Sequence, residues 1–177
     1  MRSKLSRRNV IAATGGILIA SGAGPALATP FEGSRSGAFD CLHTGEKLKV
    51  EYWNNGQYVP GALAEVNKVL RDFRTGDVHP IDPGLLDLLA KLHGTLDSRD
   101  PFQVISGYRS PHTNALLHER SDGVANHSLH MQGMAIDIRL GGRSLSDLHM
   151  AALSLKGGGV GYYPQSDFVH VDVGRVR

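Results

Sequence analysis

Two short stretches place ionisable side chains where apolar ones would be expected. Residues 129–138 read LHMQGMAIDI, with His130 and Asp137 set among small and apolar residues. Residues 166–173 read SDFVHVDV, with His170 between Val169 and Val171. An unpartnered carboxylate in a buried strand costs several kcal/mol or takes up a proton, so Asp137 needs a compensating cation. One metal ion answers for all three residues. A catalytic zinc commonly takes three protein ligands and keeps a fourth position open, and His130, Asp137 and His170 supply two imidazoles and a carboxylate. Such an ion activates water and polarises a carbonyl, which is hydrolytic chemistry.

A hydrolase also needs a group to take a proton. Asp167, three residues before His170, is the nearest candidate, with Asp172 as the second. Arg109, in the segment SGYRS, sits where a strand gives way to a helix; it would neutralise a substrate carboxylate or stabilise a developing oxyanion. Spacing alone leaves plainer roles open. Both histidines could be satisfied core residues, Asp137 a turn or cap residue, and Arg109 an ion-pair partner. His127, three before His130, could replace it as a ligand. His43, His79, His93, His112, His118 and His149 read as surface or packing residues, and Tyr162 and Tyr163 as packing or groove-lining residues.

The elements around these residues can be read from pattern. Leu48, Val50 and Tyr52 alternate with charged residues before Asn55-Gly56, a hairpin signal. Pro60 opens a helical pattern through Leu63, Val66, Leu70 and Phe73 that Thr75-Gly76 ends. Asp82-Pro83 caps a second helix, with Leu85, Leu89, Leu92 and Leu96 on one face. A strand over 102–105 precedes a short helix capped at Ser110-Pro111. Ala135 to Leu140 forms a strand, and Ser144 with Asp147 caps a helix running to Lys156. A hairpin turning at Pro164-Gln165-Ser166 closes the chain. Along its last strand, period-two alternation puts Phe168, His170 and Asp172 on one face. Irregular alternation of helices and strands predicts an α+β fold built on a small antiparallel sheet flanked by helices.

The chain ends and composition bound the rest. Residues 1–28 carry Ser6-Arg7-Arg8, an apolar run from Val10 to Ala20 and Ala26-Leu27-Ala28. They read as a twin-arginine signal peptide cleaved after Ala28, which sends the protein to the periplasm or another extracytoplasmic space. The run is too short to span ~30 Å of hydrocarbon, so no stable membrane insertion is expected after cleavage. Residues 29–37, rich in Gly and Ser, read as a flexible leader, and 38–177 as one folded domain. A formal net charge of +2, without a basic block, argues against nucleic acid as a partner. The single cysteine, Cys41, excludes an internal disulfide and a multi-cysteine zinc site.

SGYRS, SLHMQGMAIDIRL and GGVGYYPQSDFVHVDVG together resemble the signature segments of the YcbK-like (MepK-like) murein peptidases. These sit within the wider D-Ala-D-Ala metallopeptidase, lysostaphin and hedgehog superfamily. LHTGEKLKVEYW and IDPGLLDLL extend the resemblance over the chain that follows the leader. It implies one zinc ion held by His130, Asp137 and His170, and hydrolysis of peptide cross-links in peptidoglycan. Arg109, Tyr108 and Ser128 would bind the stem peptide. Many members of the superfamily have a histidine two before the last ligand; here Phe168 stands there. Others have an acidic residue three before it, and Asp167 fills that place. Asp172 would act as base in its stead or orient His170. Three functions stay open: an endopeptidase, a D-alanyl carboxypeptidase, or a catalytically weak peptidoglycan-binding module of the same fold.

Overall fold

The computed structural model describes residues 33–120 and 125–177. The expected signal peptide, its expected cleavage point and the first part of the expected leader lie outside the described residues.

Among the described residues, seven strands and four α-helices follow in the order β1 (Arg35–Cys41), β2 (Lys47–Asn54), β3 (Gln57–Tyr58), α1 (Pro60–Val69), α2 (Pro83–Thr95), β4 (Phe102–Ser106), α3 (Pro111–Arg120), β5 (Ala135–Leu140), α4 (Leu145–Leu155), β6 (Val160–Tyr163) and β7 (Phe168–Asp172). A short 3-10 helix, Leu129–Gln132, precedes β5. All seven strands form one sheet in the order β3-β2-β1-β4-β5-β7-β6.

The α+β class holds, with two corrections. The sheet is larger than expected, and it is mixed, because β1 pairs parallel with β4 while every other pair is antiparallel. The leader also ends earlier than residue 37. Arg35, Ser36 and Gly37 already pair with β2, since a neighbouring strand satisfies their backbone groups whatever their side chains.

Local signals account for most boundaries. Asn55 and Gly56 both take positive φ, 49° and 82°, as the tight turn between β2 and β3 requires. Asp82 accepts the Gly84 N–H at 2.7 Å and starts α2. Ser144 accepts the Asp147 N–H at 3.1 Å and starts α4. Helix α1 stops at Val69, short of the expected Thr75. Leu70 leaves the helix and gives its carbonyl to the Tyr108 N–H at 2.8 Å, while Phe73 stacks on His43.

One face of the sheet is the core. Val104, Ile136, Ile138, Leu140, Val169 and Val171 pack there against Leu85, Leu89 and Leu92 of α2 and Leu148 of α4. Each such side chain contributes about 1.5–3 kcal/mol on burial. The alternate residues of β5 and β7 therefore face the other side, and that side carries the chemistry. Among the described residues no helix is long and apolar enough to cross a membrane.

Candidate metal centre

Asp137 and His170 are cross-strand partners in the β5–β7 ladder, so their side chains emerge side by side on the open face. The adjoining β4 shifts register between Val104 and Ser106, opposite Asp137; such irregularities re-aim side chains near functional sites. His130 arrives from the 3-10 helix, where the Ser128 hydroxyl accepts its N–H at 3.4 Å. Gly133 closes that helix with φ 67°, and a Cβ there would lie 2.1 Å from the Pro80 carbonyl oxygen. Only glycine can make this bend, which brings His130 back over Asp137.

The three side chains converge through defined atoms. His130 Nε2 lies 3.2 Å from Asp137 Oδ1, His170 Nδ1 lies 2.9 Å from the same oxygen, and the two ring nitrogens are 3.2 Å apart. The opposite ring nitrogens are spoken for. His130 Nδ1 lies 2.7 Å from the Gly107 carbonyl oxygen, which can only accept, so Nδ1 carries the proton. His170 Nε2 faces Asp172 Oδ2 at 3.2 Å and donates to it in the same way. With both imidazoles neutral, three lone pairs point at one small space, an arrangement that is repulsive unless a cation lies between them.

A proton is one such cation. Burial opposes charge on His170, but hydrogen bonds to Asp137 and Asp172 outweigh it and push its pKa up to about 9. Burial likewise opposes the Asp137 carboxylate, and His130 and His170 hold it well below the ordinary range. A metal ion satisfies all three donors at once. Among the described residues these form the one cluster of three or more potential ligands, all within 4.8 Å of one another. Two imidazoles and a carboxylate suit zinc.

Asp172, fully buried, holds this arrangement from behind. Its Oδ1 accepts the N–H groups of Gly159 and Gly174, each at 2.9 Å, and its Oδ2 accepts Arg177 at 2.6 Å as well as His170. With every lone pair engaged it orients His170 and has no capacity left to act as a base.

Arg109 reaches the trio, but its partner is Asp137 itself. Its Nη2 lies 3.5 Å from Asp137 Oδ2 and its Nη1 donates to Asn114 Oδ1 at 3.3 Å. Its Nε is buried without a partner among the described residues. Asp72 fixes the segment that carries it, accepting the Ser110 N–H at 2.9 Å.

A cavity of about 670 Å³ opens over the trio. Arg109, His127, Ser128, Tyr163, Phe168, Arg175 and Arg177 are among its lining residues. The structure does not bring Asp167 or Tyr108 into that lining. Asp167 sits in the β6–β7 turn at φ 52°, exposed and ion-paired with Arg139. Tyr108 stacks on His79 instead. Ser128 lines the cavity while capping the helix that carries His130. His127 is exposed on the cavity wall, apart from the ligand trio. Tyr163 stacks on Phe168 and lines the cavity, whereas Tyr162 faces away onto His149. Arg175 and Arg177, in the tail after β7, went unread in the sequence. Their signal was two cations within seven residues of His170 on the same closing segment.

A sheet presenting two imidazoles and a carboxylate under an arginine-lined cavity is the arrangement of a candidate metal centre of the peptidase type. The chain belongs to the murein peptidase family described as "Peptidoglycan L,D-endopeptidase MepK", which it matches over residues 30–177. The protein of that name from Escherichia coli (strain K12) is 49% identical over 136 residues, 77% of this chain and 75% of the relative. A protein of Haemophilus influenzae named "Probable peptidoglycan L,D-endopeptidase MepK" is 42% identical over 140 residues, 78% of this chain and 75% of the relative.

Proposed function

We propose that the chain is a zinc-dependent endopeptidase that hydrolyses peptide cross-links of peptidoglycan, exported by the twin-arginine route and active outside the cytoplasm. The observation that carries this reading is the convergence of three lone pairs, from His130 Nε2, Asp137 Oδ1 and His170 Nδ1, on one point at the floor of a cavity. The names of its relatives point to the L,D class of cross-link.

Zinc held by these three residues supplies Lewis acidity toward a peptide carbonyl and an activated water. The chain's own residues do the rest. Asp172 and the Gly107 carbonyl keep the two imidazoles in the tautomers that offer their lone pairs to the centre. Arg109 holds the outer oxygen of Asp137 and leaves Oδ1 for the centre. His127 is the lining imidazole outside the ligand set, and an imidazole there is the group that takes a proton from the water and returns it to the leaving amine. Asp167, paired with Arg139 and absent from the cavity lining, takes no part in this scheme.

The test is hydrolysis of purified cross-linked muropeptides by the zinc-loaded protein, with a chelated sample as control and mass spectrometry of the products. Conversion of dimers to monomers with addition of water, lost on chelation and in His130→Ala, is the expected result. Loss of a terminal alanine alone would make the enzyme a carboxypeptidase. A bound zinc without turnover of any muropeptide would make it a binding module.

A further inference from the structure

Three guanidinium groups line the cavity above the metal centre, and two of them are already committed. Arg109 pairs with Asp137 at 3.5 Å. Arg177 pairs with Asp172 at 2.6 Å. Arg175 is exposed, lines the same cavity and has no ion pair or side-chain hydrogen bond among the described residues. Its backbone, by contrast, is held on both sides. The Gly174 N–H donates to Asp172 Oδ1 at 2.9 Å, and Arg177 Nη1 donates to the Arg175 carbonyl at 3.2 Å. The same Asp172 orients His170. One buried carboxylate therefore fixes both the metal-facing imidazole and the stretch of backbone from which Arg175 projects.

The lining holds three arginines and one carboxylate, Asp137, which faces the metal centre. This excess of positive charge favours an anion, and the planar fork of a guanidinium matches a carboxylate through two parallel hydrogen bonds. We infer that Arg175 is a specificity-determining residue that binds a free carboxylate of the peptide substrate, next to the bond that is cut. This inference rests on the proposed function for the identity of the ligand as a stem peptide. It moves the carboxylate-binding role expected of Arg109 to Arg175, because Arg109 is occupied by Asp137.

The test is binding, read separately from turnover. Isothermal titration calorimetry would compare a synthetic stem tetrapeptide bearing free carboxylates with its fully amidated counterpart. Both would be titrated into the full chain depleted of metal by chelation, so that zinc cannot itself take the carboxylate. Wild type should prefer the free acid by about tenfold, the scale of one charge-assisted hydrogen-bonded pair. Arg175→Gln should abolish that preference and leave binding of the amide unchanged. Arg175→Lys, which keeps the charge, should retain part of it. Zinc stoichiometry and Tm should match wild type in both variants, since the side chain is exposed. Equal binding of acid and amide by wild type overturns the inference. So does an Arg175→Gln variant that keeps the preference, or an Arg175→Lys variant that behaves like Arg175→Gln. If wild type shows the preference but hydrolyses no muropeptide, the proposed function fails and the anion site stands.

Discussion

Asp172 Oδ2 lies 3.2 Å from His170 Nε2, and this contact decides which nitrogen of His170 faces Asp137. Asp172→Asn tests it with little change in volume. The amide oxygen can still accept the Gly159 and Gly174 N–H groups, while the amide N–H₂ would meet His170 Nε2 and Arg177. His170 would then turn its lone pair to Nε2 and its proton to Nδ1, blocking the metal-facing position. Metal affinity should fall by about 10–100-fold, measured by competition with a chromophoric chelator. Unchanged affinity would show that the tautomer is set elsewhere.

Gly133→Ala should damage the site through the backbone. Its positive φ alone costs a residue with a Cβ roughly 1–3 kcal/mol, and the methyl would overlap the Pro80 carbonyl, 2.1 Å away. Urea unfolding of the metal-free variant should show at least that loss, and a zinc titration should show weaker binding because His130 is displaced. A variant of wild-type stability would mean that the bend tolerates a side chain.

Asp72 links stability to acid pH. Burial opposes its ionisation, but hydrogen bonds from Thr113, Ser110 and Arg74 outweigh it and bring its pKa down to about 2. A depressed carboxylate stabilises the fold above its unfolded pKa, near 4, and loses that contribution as pH falls toward 2. Asp72→Ala, which leaves the buried Ser110 N–H unpaired, should cost about 1–3 kcal/mol at neutral pH. The gap from wild type should narrow between pH 4 and 2 in thermal melts. A gap independent of pH would assign the loss to packing.

His127→Gln and Asp167→Asn separate the two candidates for proton transfer. A general base contributes roughly 10²–10⁴-fold, so His127→Gln should lower kcat by about 100-fold or more with zinc content unchanged. Asp167→Asn should lower kcat by less than about tenfold. The reverse ranking would restore Asp167 to the role its spacing from His170 first gave it.

The convergence of His130, Asp137 and His170 was foreshadowed in the sequence because Asp137 and His170 are costly in their settings. Asp137 interrupts Ala135-Ile136 and Ile138, and His170 sits between valines that the core claims, so pattern alone marked them as needing a partner while leaving plainer roles open. Period two placed Asp172 beside His170, and the contact follows. Pairing between distant segments was not legible. The parallel join of β1 to β4 depends on partners more than 60 residues away, and the early start of β1 at Arg35 depends on pairing with β2 rather than on its own Gly- and Ser-rich side chains. Side-chain engagement was equally hidden. The distance in sequence from Asp167 to His170 carries no sign of Arg139, and nothing in the SGYRS segment says that Arg109 is spent on Asp137.

The separation of the two histidines has a consequence for the chain as a polymer. An ion shared by His130 and His170 would tie together positions 40 residues apart. Closing a loop of that length removes conformational freedom from the unfolded state worth roughly 4 kcal/mol in chain-entropy terms. A chain with a single cysteine has no disulfide of its own to do this. Such an ion would then act as a removable staple, fastening β5 and β7 to the 3-10 helix that precedes β5.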